Sequence, residues 1–207
     1  MRDFLQTEFQ HTCLRLISQV LIRLNGLLVA NNFTIKMLSS DQSINNKRFT
    51  LEKIAIFVDV QNIYYTTRQA YSRQFNYRRF WQHIKHQGNI IMANAYAIDK
   101  GDEQQQKFQS ALKHIGFDIK LKPYIQRSDG SAKGDWDVGI AIDVLEAAEN
   151  ADTIVLLSGD GDFDLLLKKV SQKYGCKTQV YGVPQLTATS LVNAADKFFK
   201  IESDLLQ

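Results

Sequence analysis

Three short segments of this chain carry the side chains best suited to do chemistry. They are Phe57-Val58-Asp59-Val60-Gln61-Asn62, Lys133-Gly134-Asp135-Trp136-Asp137-Val138 and Ser158-Gly159-Asp160-Gly161-Asp162-Phe163. The first and third close the apolar runs Ile54–Val60 and Thr153–Leu157, which read as buried strands. Ligands of an open α/β sheet bind beyond the carboxyl ends of its strands, near the point where strand order reverses. Two strands therefore deliver carboxylates to one edge, and the turn at Lys133–Asp137 can bring a third group there. Periodicity leaves open whether Asp135 or Asp137 points inward.

Carboxylates gathered in this way repel one another, and without a cation one of them tends to keep a proton. A hard divalent ion removes that cost, and Mg²⁺ or Mn²⁺ takes a few carboxylates while keeping several waters. Such an ion lowers the pKa of a bound water and stabilises charge on a scissile phosphate. The four histidines, His11, His83, His86 and His114, fall at none of the expected strand ends, which argues against a histidine-based site. Aspartates after strands also cap the helices that follow, and Asp135, Asp160 or Asp162 could be no more than caps. Asp59 is different, because a carboxylate ending so apolar a strand needs a partner for its burial. Asp143 reads as a helix-surface residue or a partner of Lys133, outside the metal-binding set.

The charge pattern supplies a second clue. From Val60 to Ile98 the chain holds Arg68, Arg73, Arg78, Arg79 and Lys85 and no acid. From Asp135 to Asp164 it holds nine acids and no Lys or Arg. Opposed blocks of this kind suit a polyanion on one side and an ion site on the other; solvated helix faces are the plainer alternative. Tyr64, Tyr65, Tyr71, Phe75, Tyr77, Phe80 and Trp81 interleave with the basic residues. Basic groups that hold phosphates, with exposed aromatics that stack on bases, make a sequence-tolerant site for single strands. Half or fewer of these aromatics are expected to be exposed, since several must pack the helix onto the sheet.

The elements that position these residues alternate strand and helix. Expected strands are Ile54–Val60, Asn89–Ile98, Asp118–Ile125, Thr153–Leu157, Lys177–Val183 and a short one at Phe198–Ile201. Pro123 suggests that Asp118–Ile125 lies at an edge. Between them come a long helical region from Ile63 to His86 and helices at Glu103–Ile115, Asp135–Asn150, Phe163–Tyr174 and Thr187–Ala195. Val138, Ile142, Leu145 and Ala148 are the expected apolar face of the third. Strict alternation implies a parallel sheet with helices on both faces, an α/β three-layer sandwich.

Ahead of that domain, residues 1–36 read as an amphipathic helix with Leu14, Ile17, Leu21, Leu24 and Leu28 on one stripe. Arg15 and Arg23 interrupt it, so it is neither a membrane span nor a good signal peptide. Met37 opens a polar linker over 37–51, and residues 1–36 are read as an upstream extension of the gene model. The composition, 44% hydrophobic and 23% charged, is that of a soluble globular protein. Cys13 and Cys176 are too few for a disulfide framework or a zinc site, which points to a reducing, cytoplasmic setting.

Taken together and in order, the three acidic segments resemble the signatures of the NYN/LabA-like domain of the PIN-like nuclease superfamily. The resemblance covers residues 52–202. It implies a Rossmann-like sandwich with a parallel sheet and Mg²⁺- or Mn²⁺-dependent hydrolysis of RNA. Carried over, Asp59 and Asp160 match the central metal-binding aspartates, with Asp137 and Asp162 as the further carboxylates. Asn62 matches the supporting asparagine, and Lys133 a lysine able to hold a phosphate. Ser158 joins Asn62 in orienting the carboxylates, while Arg68, Arg73, Arg78, Arg79 and Lys133 are the expected RNA contacts. The resulting expectation is an endoribonuclease, with a non-catalytic RNA-binding or regulatory module as the alternative and a homo-oligomer left open. Two other phosphate-handling folds fit poorly. Gln61 stands where a haloacid-dehalogenase phosphatase needs a second aspartate, and Ile125-Gln126 where a receiver domain needs its phosphoacceptor.

Overall fold

Continuous apolar runs become the central strands, because only a strand covered on both faces can be apolar throughout. The computed structural model describes residues 51–99, 101–123, 125–126, 132–133 and 135–207, with the backbone alone at 125–126 and 132–133. The helix expected in residues 1–36, the linker up to residue 50, the Lys133 side chain and Gly134 lie outside the described residues.

Strand β1 (Lys53–Asp59) leads into helices α1 (Val60–Tyr71) and α2 (Tyr77–Ile84), then β2 (Asn89–Asp99), α3 (Glu103–Ile115) and β3 (Asp118–Pro123). A small antiparallel pair, β4 (Ile125–Gln126) and β5 (Ala132–Lys133), precedes α4 (Asp137–Ala147). The chain continues through β6 (Thr153–Leu157), α5 (Asp164–Tyr174), β7 (Lys177–Gly182), α6 (Thr189–Ala194) and β8 (Lys197–Lys200). Six strands form one parallel sheet in the order β3-β2-β1-β6-β7-β8.

Alternation along β1 divides the core in two. Ile54, Ile56 and Val58 pack with Ile63, Phe80 and Leu112 from α1, α2 and α3. Ala55 and Phe57 join Ile140, Val144 and Leu167 from α4 and α5. The result is the expected α/β three-layer sandwich. Among the described residues no helix is long and apolar enough to cross a membrane.

The sheet grows outward from β1 through β2 to β3, then returns to the other side of β1 with β6. That reversal opens a crevice at the carboxyl ends of β1 and β6. Val58 pairs with Leu157, so Asp59 and Ser158 are the first residues beyond the last matched pair.

Three features differ from the sequence reading. The single helical region expected from Ile63 to His86 is two helices. Ser72 adopts the left-handed conformation at φ 53° and ends α1, and the Asn76 side chain accepts from the Arg79 N–H at 3.0 Å to start α2. Helix α4 begins at Asp137 and buries Ile140, Val144 and Ala147, leaving Val138 and Ile142 68% and 51% exposed. Leu145 and Ala148 of the expected face do pack against the core; apolar residues occupy several sides of this helix, so spacing alone found one edge of the buried side and missed its centre. The fold also runs past residue 202. Leu205 and Leu206 are buried, Leu206 bridges to Phe75, and Leu205 O accepts from the Asn76 N–H at 2.7 Å.

This C-terminal segment therefore clamps the α1–α2 junction. Leu205→Ala should lower unfolding stability in urea by about 2–5 kcal/mol, the range for truncating a buried leucine. A cost near zero would mean that the segment only rests on the surface.

Candidate active site

The crevice is built from backbone amides before any charge is considered. Asp59 caps α1, its carboxylate accepting from the Asn62 backbone N–H at 3.0 Å. The Asn62 side-chain oxygen in turn accepts from the Gly159 N–H at 2.8 Å, tying the start of α1 to the loop after β6. In that loop the Asp160 N–H donates to Ser158 Oγ at 3.2 Å, and Asp160 Oδ1 accepts from the Asp162 N–H at 3.0 Å. Ser158 is fully buried. A side chain at position 159 would put its Cβ 2.7 Å from Leu186 O, so the loop passes there only as glycine. Asp59 and Asp160 are thus both caps. A cap uses only part of a carboxylate's accepting capacity, which leaves each free to take another ligand.

Electrostatics join what the backbone has positioned. Burial is the main force on Asp59, and with the charges of Asp137 and Asp160 it outweighs the lowering effect of the Asn62 N–H and raises the pKa to about 6. Asp137 is itself raised by burial, then by Asp160, Asp135 and Asp162, while Lys122 opposes the rise. Of the two residues that spacing left open, Asp137 is the half-buried one and acts on Asp59; Asp135 is exposed and acts on Asp137. Asp162 is exposed; its backbone N–H holds Asp160, and its carboxylate acts on Asp137 by charge.

Among the described residues, no three His, Cys, Asp or Glu side chains form a ready-made shell for an ion. The donor set still has the chemistry of a hard divalent cation. It is made of oxygens, and the repulsion felt at Asp59 is what such a cation relieves. Asp59, Asp137 and Asp160 are the groups that would hold Mg²⁺ or Mn²⁺.

One cation at the site was not expected. Lys122 stands 4.3 Å over the Trp136 ring and donates to Asp135 O at 2.9 Å. The Trp136 Nε1–H donates to Ala97 O at 2.9 Å, which pins the segment leading into α4. The sequence signal was available, since Lys120 and Lys122 lie two apart on β3 and share a face. Lys120 stands 4.0 Å from Asp143, and the Tyr96 hydroxyl donates to that carboxylate at 2.7 Å. The Asn94 amide also donates to it, at 3.3 Å. Asp143 is therefore an anchor of α4 on the sheet, and not the surface residue expected. The acidic block is not one site either. Asp152 accepts from the Lys53 N–H at 2.8 Å, and Asp164 pairs with Lys168 at 3.0 Å.

The basic block divides as well. Arg68, Arg73, Arg78 and Arg79 are all exposed, but Arg73 donates to Leu206 O and Arg79 to Asp204 O, each at 3.2 Å. Those two hold the C-terminal segment through one guanidinium nitrogen each and remain exposed. Of the seven interleaved aromatics only Tyr64 and Tyr65 are exposed, at 46% and 56%. Phe75, Tyr77 and Phe80 belong to the core.

Comparison with known proteins agrees with the architecture. A family model described as the NYN domain matches residues 53–202. The chain is 30% identical over 161 residues to the low amplitude and bright protein LabA of Synechococcus elongatus, covering 74% of this chain and 86% of that protein. A crystal structure of a protein of unknown function from Vibrio parahaemolyticus is 50% identical with a TM-score of 0.74, covering 77% of this chain and 98% of that one.

The raised pKa of Asp59 has a consequence for stability. An aspartate in the unfolded chain ionises near pH 4, whereas folded Asp59 keeps its proton to about pH 6. The contribution of this group is therefore fully present below about pH 4 and lost as the pH rises through about 6. Asp59→Asn keeps a cap acceptor and removes the charge. Without added divalent ions it should gain about 2–3 kcal/mol over wild type at pH 8 and little at pH 4, read by urea unfolding at both. Equal stabilities at pH 8 would contradict the burial and repulsion assigned to Asp59.

Proposed function

The chain belongs to the NYN domain family, and on that basis we propose that it is a metal-dependent endoribonuclease of the PIN-like type. The observation that carries this reading is the convergence of three acids at the crevice beyond β1 and β6, where the charges of Asp137 and Asp160 both bear on the buried Asp59. A purely structural cap has no need of three acids acting on one another. When bound, Mg²⁺ or Mn²⁺ supplies an activated water and stabilises charge on the phosphate.

The protein's own residues have separate tasks. Asn62 holds the α1 start against the β6 loop, so Asp59 and Asp160 keep a fixed relation. Ser158 steadies the Asp160 backbone from a dry position. Trp136 and Lys122 fix the approach to Asp137. The exposed guanidinium groups of Arg68 and Arg78 suit RNA phosphates, a role also open to Lys133. RNA, single-stranded, is the proposed substrate.

A second reading is a regulatory RNA-binding module that keeps the same crevice. One experiment separates the two. Purified protein is incubated with labelled single-stranded RNA and Mn²⁺, beside Asp160→Asn, and binding is measured in parallel. Asp160→Asn keeps the shape and one acceptor of the side chain but not its charge. A nuclease loses about a hundredfold or more of its cleavage, the scale for removing one preorganised electrostatic group, while RNA binding stays level or tightens. No cleavage by wild type, or equal cleavage by both proteins, would leave the binding module as the function.

A further inference from the structure

A cavity of about 420 Å³ lies beside the carboxylates and takes no part in holding them. The first two turns of α1, the carboxyl end of β2 and the start of α3 line it. Its buried lining includes Phe75, Ala97 and Ile98, and its exposed lining includes Tyr64, Tyr65 and Gln104. Val60 and Gln61, which follow Asp59 directly, also line it, so the cavity and the carboxylate crevice share the first turn of α1.

The chemistry of the lining is specific about what it would accept. Among the described residues no Lys, Arg or His lines the cavity, and its one charged group is the carboxylate of Asp102. That carboxylate is turned to the α3 start, accepting from the Gln105 N–H at 2.7 Å. A phosphate would find no cation there and one repelling acid. What the lining does offer is aromatic surface and amides. Tyr64 and Tyr65 stand edge to face with centroids 5.4 Å apart, each still with free surface. The side-chain amides of Gln61, Gln74 and Gln104 have no hydrogen-bond partner among the described residues. An amide both donates and accepts, so it can pair with the edge of any base. The volume falls within the usual range for a small-molecule site.

We propose that this cavity holds a nucleobase of the bound RNA strand, stacked on Tyr64 or Tyr65 and bonded at its edge by the glutamine amides. The inference rests on the nuclease reading, since it places the base beside the phosphate that the carboxylates handle. It assigns a base within a strand and not a free nucleotide, because among the described residues the lining has no cation to hold a nucleotide's own phosphates. Base recognition is tolerant of sequence, as amides that donate and accept do not choose.

The test uses labelled single-stranded oligouridylate, intact or with one abasic position moved along the strand. Binding is measured in EDTA at several salt concentrations, for wild type and for the double variant Tyr64→Ala with Tyr65→Ala. Both tyrosines are exposed, so an unchanged melting temperature is expected and is checked. In wild type, one or two abasic positions should lower affinity by about fivefold to a hundredfold, the scale of one lost base–aromatic stack. In the double variant the intact strand should bind weaker by a similar factor, with no further loss at those positions. The salt slope should not change, because no phosphate contact is removed. A double variant that binds like wild type, or an abasic series without effect, would overturn the cavity assignment. So would a loss that comes with a flatter salt slope. Cleavage with Mn²⁺ is followed in the same proteins. Cleavage that depends on Asp160 with no effect of the tyrosines overturns only the cavity. A positional abasic effect without Asp160-dependent cleavage overturns only the nuclease.

Discussion

Asp59 stands one residue past the last matched pair of the two central strands, where water reaches it only in part. Its carboxylate is held there by the α1 amides and pressed by the charges of Asp137 and Asp160. Much of the surrounding structure is an answer to that arrangement. The strand is apolar to its end because the sheet is covered on both faces, so a carboxylate cannot move back along it. The Asn62–Gly159 bond stops the two loops from separating under their own repulsion. A glycine at 159 lets the same loop pass close against Leu186 and Thr187 on its other side.

The remaining elements deliver the third group. Asp137 lies on α4, which is bound to the sheet through Asp143, Tyr96 and Asn94 and through Trp136 on Ala97. These contacts sit on β2, the neighbour of β1, so the helix is fixed relative to the strand that carries Asp59. The opposite side of the sheet holds α1, α2 and α3, whose junction the C-terminal segment closes. Rigid parts therefore surround a cluster that is itself under strain of charge.

Much of this was legible in the sequence, for definite reasons. Ile54–Val58 and Thr153–Leu157 are runs that only a central parallel strand can use, and the residues following them had to share an edge. Asp59, Asp160 and the loop of Ser158 were visible on that ground. The pattern failed where local signals were even-handed. Helix α4 has apolar residues on several sides, so spacing could not choose Ile140 and Val144 over Val138 and Ile142. Ser72 breaks the first helix by a left-handed turn that no glycine announced. Asp143 looked like surface because its partners, Tyr96, Asn94 and Lys120, lie on other elements. That Arg73 and Arg79 also hold the tail was not legible, because the tail is far away in the chain.

The central claim is that Asp59 belongs to a divalent-ion site, and its own titration tests it most directly. With the aspartate carboxyl carbons ¹³C-labelled, NMR follows the Asp59 signal against pH, first without metal and then with saturating Mg²⁺. The account predicts an apparent pKa near 6 without metal, falling well below the ordinary aspartate value when Mg²⁺ is present. A titration at the ordinary value, or one that Mg²⁺ leaves unmoved, would contradict it.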